Sequence, residues 1–147
     1  MKPTTIVIAD DHQVIRHSLH ILLEAEPDFR IIGEASDGVE ATHTVKSLQP
    51  DVLVLDMVMS GLNGIEVARK TREESPHTRI VILSMYDNEA YVMEALRAGA
   101  GAYVLKRSTS EDLVRAIRET MDGRRYLSGA LSQRLLQSPG NGSQGQN

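Results

Sequence analysis

The chain has 147 residues, a formal net charge of −4, no cysteine, and a composition that is 41% hydrophobic and 24% charged. This length suits one domain with a sizeable core, and the lack of cysteine excludes disulfides, thiolate chemistry and cysteine zinc sites. The negative charge argues against a surface that mainly neutralises nucleic-acid phosphates, and no apolar run approaches the roughly 20 residues that a transmembrane helix needs.

Five short apolar runs predict five β-strands. Each is apolar through its centre, which is typical of strands buried on both faces of a parallel sheet. In chain order they are TTIVIA (residues 4–9), RIIGEA (30–35), VLVL (52–55), RIVIL (79–83) and AYVL (102–105).

The first run ends in two adjacent carboxylates, Asp10 and Asp11. They interrupt what would be the apolar region of a signal peptide, so the sequence predicts a cytoplasmic protein. Two like charges at the end of a buried strand also cost free energy unless a cation or hydrogen bonds compensate. The pair therefore requires a cation or hydrogen-bond donors close to it.

Segments with helical periodicity follow the runs and predict five helices. The apolar faces include Val14 and Leu22, then Ala41, Val45 and Leu48, Ile65 and Ala68, Tyr91 and Ala95, and finally Leu113 and Ile117. Three helix starts are marked by a side-chain acceptor three residues before a glutamate: Asp37 with Glu40, Asn63 with Glu66, and Ser108 with Glu111. This order predicts an α/β fold with a doubly wound, parallel, five-stranded sheet.

The candidate functional residues follow four of the five runs. Asp10 and Asp11 follow the first, Asp56 the third, Ser84 the fourth and Lys106 the fifth. Because the carboxyl ends of parallel strands share one edge, we expect these side chains to converge on one crevice. The turn after the first run reads DDHQV rather than GxGxxG, which argues against a dinucleotide site.

Three clustered carboxylates favour a hard divalent cation that keeps some of its waters, and the prediction is Mg²⁺. If Asp56 is a nucleophile, an incoming phosphoryl group adds negative charge that Mg²⁺ and the Lys106 ammonium can offset. The residues alone therefore predict an aspartate that accepts phosphate beside a magnesium site.

Together these motifs resemble the receiver domains of two-component response regulators. The matching elements are the DD pair, LD at Leu55 and Asp56, LS at Leu83 and Ser84, and AGAGAYVLK at residues 98–106. Residues 83–117 are similar to the branch that carries a LuxR or NarL type helix-turn-helix after the receiver, and that branch consists mostly of transcription regulators. The resemblance implies a flavodoxin-like (βα)₅ receiver domain in residues 1–128. Residues 129–147 would form a flexible linker or tail, with the C-terminal effector domain absent from this chain.

The resemblance also implies roles for the matched residues. Asp56 would be phosphorylated by a sensor histidine kinase, and Asp11 and Asp56 would bind Mg²⁺ with the backbone carbonyl of Val58. Asp10 would act largely through water, and Lys106 would contact the phosphoryl oxygens. Ser84 and Tyr103 match the family's switch pair, in which the hydroxyl moves to the phosphoryl group and the aromatic ring turns inward.

The implied partners are the cognate kinase and a second copy of the chain, in a weak homodimer that phosphorylation strengthens. DNA would be bound only through the missing C-terminal domain, and no membrane is involved. The domain would not be an enzyme beyond assisting its own phosphorylation and dephosphorylation.

Two positions depart from the common family pattern. Ser60 stands where many relatives have a proline that stiffens the loop after the phosphorylation site, so this loop is less restricted. Arg107 follows Lys106 where many relatives have a proline joined by a cis peptide, which leaves the isomer of this bond open.

Other interpretations of the same residues stay open. Asp10 and Asp11 could merely cap the first helix, and Tyr103 could be an ordinary core residue. A phosphatase of the haloacid dehalogenase type would need DxDxT, whereas Asp56 is followed by MVMS. A stand-alone receiver, or an interaction module that works without phosphorylation, would use the same scaffold, although such modules typically lack part of the acidic set or the lysine.

Overall fold

Strands and helices alternate along the chain as the sequence predicts. The computed structural model describes residues 2–108, 110–129 and 131. The strands are β1 (Thr4–Ala9), β2 (Phe29–Ala35), β3 (Val52–Asp56), β4 (Arg79–Ser84), β5 (Ala102–Leu105) and β6 (Tyr126–Leu127). The helices are α1 (Gln13–Glu24), α2 (Gly38–Leu48), α3 (Gly64–Glu74), α4 (Glu89–Arg97) and α5 (Ser110–Met121).

All strands are parallel and lie in one sheet in the order β2-β1-β3-β4-β5-β6. The chain moves outward from β1 to β2 and then returns past β1 to β3, so the winding direction reverses between β1 and β3. In open parallel sheets, ligands bind at such a reversal, beyond the carboxyl ends of the strands. The predicted doubly wound α/β fold is confirmed.

The sheet has a sixth strand, so the prediction of five strands is wrong at this edge. Tyr126 donates its amide to the carbonyl of Gly101, and Ser128 donates to the carbonyl of Tyr103, at 3.1 and 3.0 Å. A two-residue strand carries no periodicity that a sequence could show. It forms because the outer edge of β5 offers unpaired backbone groups.

The core forms two layers because alternate residues of each strand point to opposite faces of the sheet. One layer packs the sheet against α2, α3 and α4, and the other packs it against α1 and α5. The four central strands are buried almost throughout, as their apolar sequences predict. Leu131, within the predicted tail, is also buried in the first layer, and apart from Gly129 and Leu131 that tail lies outside the described residues.

The predicted helix faces are wrong at Val14, Leu48 and Tyr91. Val14 is 79% exposed, Leu48 42% and Tyr91 39%. In α1 the residues that face the sheet are Leu19, Leu22 and Leu23, so the apolar stripe begins later than predicted. Among the described residues, no helix combines the length and the apolar character that a bilayer-spanning segment requires.

Two of the three predicted helix starts are confirmed. Asp37 accepts the amide of Glu40 at 2.8 Å, and Asn63 forms a reciprocal capping box with Glu66. Helix α5 begins at Ser110, so Ser108 lies one position too early to be its capping residue. The hydroxyl of Ser108 instead lies 3.2 Å from that of Ser128, which follows β6.

Candidate functional site

The predicted polar residues meet at the carboxyl ends of the strands. Asp56 and Ser84 are the last residues of β3 and β4, while the Asp10–Asp11 pair and Lys106 directly follow β1 and β5. Strand register aligns these ends: Asp56 lies opposite Leu83, and Lys106 donates its amide to the carbonyl of Ser84 at 2.8 Å. The convergence expected from the sequence is therefore present.

Asp56 is the buried centre of this arrangement. Its side chain is almost inaccessible, and the Lys106 ammonium lies 3.1 Å from Asp56 Oδ1 and 3.6 Å from Asp10 Oδ2. Burial raises the pKa of Asp56, and the neighbouring charge of Asp10 raises it further, while Lys106 acts in the opposite direction. One ammonium thus stabilises two carboxylates that water barely reaches.

Several carboxylate oxygens at the site have unused binding capacity. Within the part of the chain that the structure describes, Asp10 Oδ2, Asp11 Oδ1 and Asp56 Oδ2 are buried and accept no hydrogen bond. Ligand atoms of Asp10, Asp11, His12 and Asp56 all lie within 4.8 Å of one another. Buried oxygens left in this state are costly unless a cation binds them, so the residues fit a hard divalent ion.

His12 is a member of this cluster that the sequence interpretation did not include. Its Nδ1 lies 3.2 Å from Asp10 Oδ1 and 3.1 Å from Asp11 Oδ1. Its amide also donates to Asp10 Oδ1 at 2.8 Å. In the sequence, membership of His12 in the cluster is indicated only by its position directly after the DD pair. A side chain at that position of the turn can reach both carboxylates.

Among the described residues, neither carboxylate of the acidic pair accepts an amide from the first turn of helix α1. Helix α1 begins at Gln13, and its preceding residue His12 makes no capping hydrogen bond with its side chain. Asp10 accepts the amide of His12 but also approaches Lys106, while Asp11 Oδ2 lies 3.4 Å from the hydroxyl of Ser60. Ser60 thus places a polar group beside Asp11 at the edge of the site.

Val58 lies close to Asp56 through its backbone. Its amide is 3.4 Å from Asp56 Oδ1, and its side chain is 57% exposed. The proposed use of its carbonyl as a metal ligand stays a prediction. The peptide bond between Lys106 and Arg107 is trans, as are the other peptide bonds of the described residues.

Ser84 and Tyr103 both bind the backbone of Tyr86. Ser84 Oγ accepts the Tyr86 amide at 2.9 Å, and the fully buried Tyr103 donates its hydroxyl to the Tyr86 carbonyl at 2.7 Å. Burial raises the pKa of Tyr103. The Tyr86 ring in turn stacks on that of Tyr91 in α4, with centroids 4.7 Å apart. Tyr103 is therefore a core residue with a specific polar contact.

Comparison with known proteins identifies what this arrangement is similar to. The family model for the response regulator receiver domain matches residues 6–118. The nitrate/nitrite response regulator protein NarL of Escherichia coli K12 is 39% identical over 137 residues, which are 93% of this chain and 63% of that protein. The oxygen regulatory protein NreC of Staphylococcus epidermidis is 40% identical over 140 residues, covering 95% of this chain and 64% of that protein. The chain thus spans just under two thirds of the length of these relatives.

Solved structures of response regulators are similar to this chain as well. A two-component response regulator of the LuxR family from Aurantimonas sp. SI85-9A1 superposes with a TM-score of 0.86 at 34% identity, covering 90% of this chain and 94% of that one. The signal receiver domain of NarL from Mycobacterium tuberculosis superposes with a TM-score of 0.81 at 34% identity, covering 84% and 100%.

Proposed function

The chain belongs to the response regulator receiver domain family, and on this premise we propose that Asp56 accepts a phosphoryl group from a sensor histidine kinase. The observation that carries this proposal is the state of the Asp56 carboxylate. Oδ1 is held by Lys106 at 3.1 Å, whereas the buried Oδ2 accepts no hydrogen bond from the described residues. Lys106 thus positions Oδ1, whereas Oδ2 is available for a further ligand.

The proposed reaction forms a bond between an Asp56 oxygen and phosphorus while the bond from phosphorus to the donor breaks. The product carries additional negative charge at the end of a parallel sheet. Lys106 lies within ion-pair distance of both Asp56 and Asp10. Its ammonium can therefore form an ion pair with the phosphoryl oxygens and stabilise their negative charge. Asp10 and Asp11, by contrast, repel the incoming group unless their charge is offset.

Mg²⁺ is the cation that we propose for this purpose. Asp11 and Asp56 would hold it with the carbonyl of Val58, and Asp10 would act through water. When bound, the ion would supply positive charge that lets the three carboxylates stay ionised together before the reaction and that offsets the charge of the incoming phosphoryl group. The unused oxygens of Asp11 and Asp56 support this assignment, because hard cations prefer such ligands.

We further propose that Tyr86 couples phosphorylation of Asp56 to the surface of α4. The Ser84 hydroxyl would move away from the Tyr86 amide, from which it accepts, and donate to a phosphoryl oxygen. This movement would loosen the segment that Tyr103 also holds. Because the Tyr86 ring stacks on Tyr91, this change would reach the exposed surface of α4. A local change of roughly −1.5 to −2 charges can thus alter a surface that pairs with a second copy.

The proposed output is transcriptional control in the cytoplasm. The matched relatives are named as regulators, and DNA binding in a longer protein would use a segment outside the receiver. We expect this chain alone to form a weak homodimer that tightens on phosphorylation, to bind no specific DNA sequence, and to catalyse nothing beyond changes to its own phosphoryl group.

A phosphorylation assay with a small donor tests the central proposal. With Mg²⁺ and acetyl phosphate, intact-mass spectrometry should show one added phosphoryl group that is stable in acid and labile in base. Asp56→Asn should abolish it, whereas Asp51→Asn, which changes an aspartate at the opposite end of β3, should keep it. Undiminished labelling of Asp56→Asn would overturn the assignment. A folded wild-type chain that takes no label would favour the interaction module that works without phosphorylation.

A further inference from the structure

A polar cavity lies at the end of the sheet opposite Asp56. It has a volume of about 310 Å³ and is formed where β4 and β5 begin and where α5 ends. Its charged lining residues are Arg72, Arg79, Arg124 and Arg125, and none of the described lining residues is acidic. In a chain whose net charge is −4, this concentration of arginines contrasts with the rest of the sequence.

Two glycines of the AGAG segment give the cavity its shape. A Cβ at Gly99, whose φ is +112°, would lie 2.0 Å from Cδ of Arg72, and a Cβ at Gly101 would lie 2.2 Å from Oγ1 of Thr120. The stem of Arg72 and the hydroxyl of Thr120 therefore pack directly on bare backbone, where any other residue would displace them. The phosphoryl chemistry proposed for Asp56 uses neither glycine.

The arginines are only partly neutralised. Arg124 pairs with Glu119 at 3.0 Å and with Asp122 at 3.2 Å. No residue in the described part of the chain forms an ion pair with Arg72, Arg79 or Arg125. Guanidinium groups that share one cavity repel one another, and a bound anion would convert that repulsion into attraction.

A threonine hydroxyl adds a neutral donor to the same cavity. Thr120 is 2% exposed and lines the cavity, and its hydroxyl forms no hydrogen bond with any described residue. Because Thr120 lines the cavity, its hydroxyl can donate to a ligand there, beside the guanidinium groups of Arg72 and Arg79. The neighbouring Thr78 differs, because its hydroxyl already donates to the carbonyl of Pro50 at 2.6 Å.

We propose that this cavity binds a small, multiply charged oxyanion of the phosphate class, either inorganic or carried by a small metabolite. The planar guanidinium fork matches phosphate oxygens bidentately, and the Thr120 hydroxyl adds one donor from the side. The volume is at the lower end of the range for small-molecule sites, which fits a compact ligand better than a dinucleotide.

Binding would connect parts of the fold that are distant in sequence. Arg72 belongs to α3 and Arg79 begins β4, whereas Arg124 and Arg125 form the connection from α5 to β6. A shared anion would therefore hold the connection that leads into the edge strand β6 against α3 and β4. This proposal is independent of phosphorylation at Asp56.

Titration of the full chain with pyrophosphate tests the proposal. The experiment is run without Mg²⁺ and at constant ionic strength, because general screening also changes with added salt. Calorimetry should show saturable binding to one site. Amide chemical shifts should move at Gly99, Gly101 and Gly123, with little change around Asp56.

Matched variants decide where the anion binds. Arg79→Gln and Arg72→Gln should each weaken binding by about tenfold, since each removes a charge-assisted pair. Arg69→Gln, on the same helix as Arg72 but outside the cavity, and Lys106→Gln, at the acidic site, should bind as the wild type does. Absence of saturable binding, or binding that Lys106→Gln abolishes and Arg79→Gln leaves intact, would overturn the proposal. Circular dichroism of each variant shows whether the fold is retained.

Discussion

Ser84 and Tyr103 hold one residue from its two backbone ends. The Ser84 hydroxyl accepts the Tyr86 amide, and the Tyr103 hydroxyl donates to the Tyr86 carbonyl, at 2.9 and 2.7 Å. Ser84 lies in the crevice that contains Asp56, whereas the ring of Tyr103 lies inside the core. Movement of either hydroxyl therefore changes the contacts of Tyr86, and through them the stacking of Tyr86 on the Tyr91 ring.

Removing one of these contacts should have a measurable effect. Tyr103→Phe keeps the buried ring but leaves the Tyr86 carbonyl without this donor, so the free energy of unfolding should fall by about 1 kcal/mol. Urea denaturation of the two proteins measures the difference. Tyr91→Phe, at a partly exposed ring, is the matched control and should stay within about 0.5 kcal/mol of wild type. Equal stability of Tyr103→Phe and wild type would show that the hydrogen bond contributes nothing.

Metal binding should depend unequally on the two adjacent carboxylates. Asp11→Ala removes an oxygen that we propose as a direct ligand, so Mg²⁺ affinity and phosphorylation should fall together, by about tenfold or more. Asp10→Ala should weaken Mg²⁺ binding less, because Asp10 is proposed to act through water. Calorimetric titration with Mg²⁺ measures both, and Asp122→Ala, an exposed carboxylate near the end of α5, serves as the control. The same affinity in wild type and Asp11→Ala would remove Asp11 from the metal site.

The raised pKa of Asp56 predicts how its replacement changes stability with pH. Because burial disfavours the ionised carboxylate, folding favours the protonated form, and the stability that this provides is present below the ordinary value of 3.8. It is lost as the pH rises through the higher pKa of the folded state. Without metal, Asp56→Asn should therefore raise the melting temperature at pH 7, and the gain should shrink towards pH 4.

Thermal melts in a chelating buffer measure this dependence. A gain of about 1 kcal/mol corresponds to roughly 2–4 °C for a domain of this size. Asp122→Asn, at a solvent-exposed carboxylate, should show no comparable gain. A lower melting temperature for Asp56→Asn at pH 7 would mean that the ion pair with Lys106 outweighs the burial of Asp56.

Phosphoryl lifetime should depend on the residue two positions after Asp56. Hydrolysis of the phosphoryl group needs a water molecule aligned for attack on phosphorus. The exposed side chain of Val58 has no hydrogen-bonding group that could orient this water, and the half-exposed ring of Tyr86 obstructs the water's approach to phosphorus. Self-dephosphorylation should therefore be slow, and Val58→Asn should shorten the lifetime. Decay of the phosphoprotein after donor removal measures it. Ile21→Asn, an exposed position on α1, is the control. An equal or longer lifetime in Val58→Asn would refute water orientation and leave Asp56 as acceptor.

The sequence by itself determined the order of strands and helices and the place of the site. Apolar runs such as VLVL have few alternatives to a buried strand, and a polar residue directly after such a run must lie at a strand end. The positions of Asp10, Asp56 and Lys106 follow from this local rule, because parallel strands bring their carboxyl ends together. Their proximity needed no knowledge of individual side-chain contacts.

Only the tertiary structure decided contacts between segments that carry no shared local pattern. The short strand β6 forms because β5 has a free edge, and His12 joins the acidic cluster because its turn directs Nδ1 towards both carboxylates. Similarly, Val14 is exposed because the sheet covers only a later part of α1, and four arginines from three regions meet at one cavity. Such features depend on where elements pack, and packing is a property of the whole fold that local periodicity does not record.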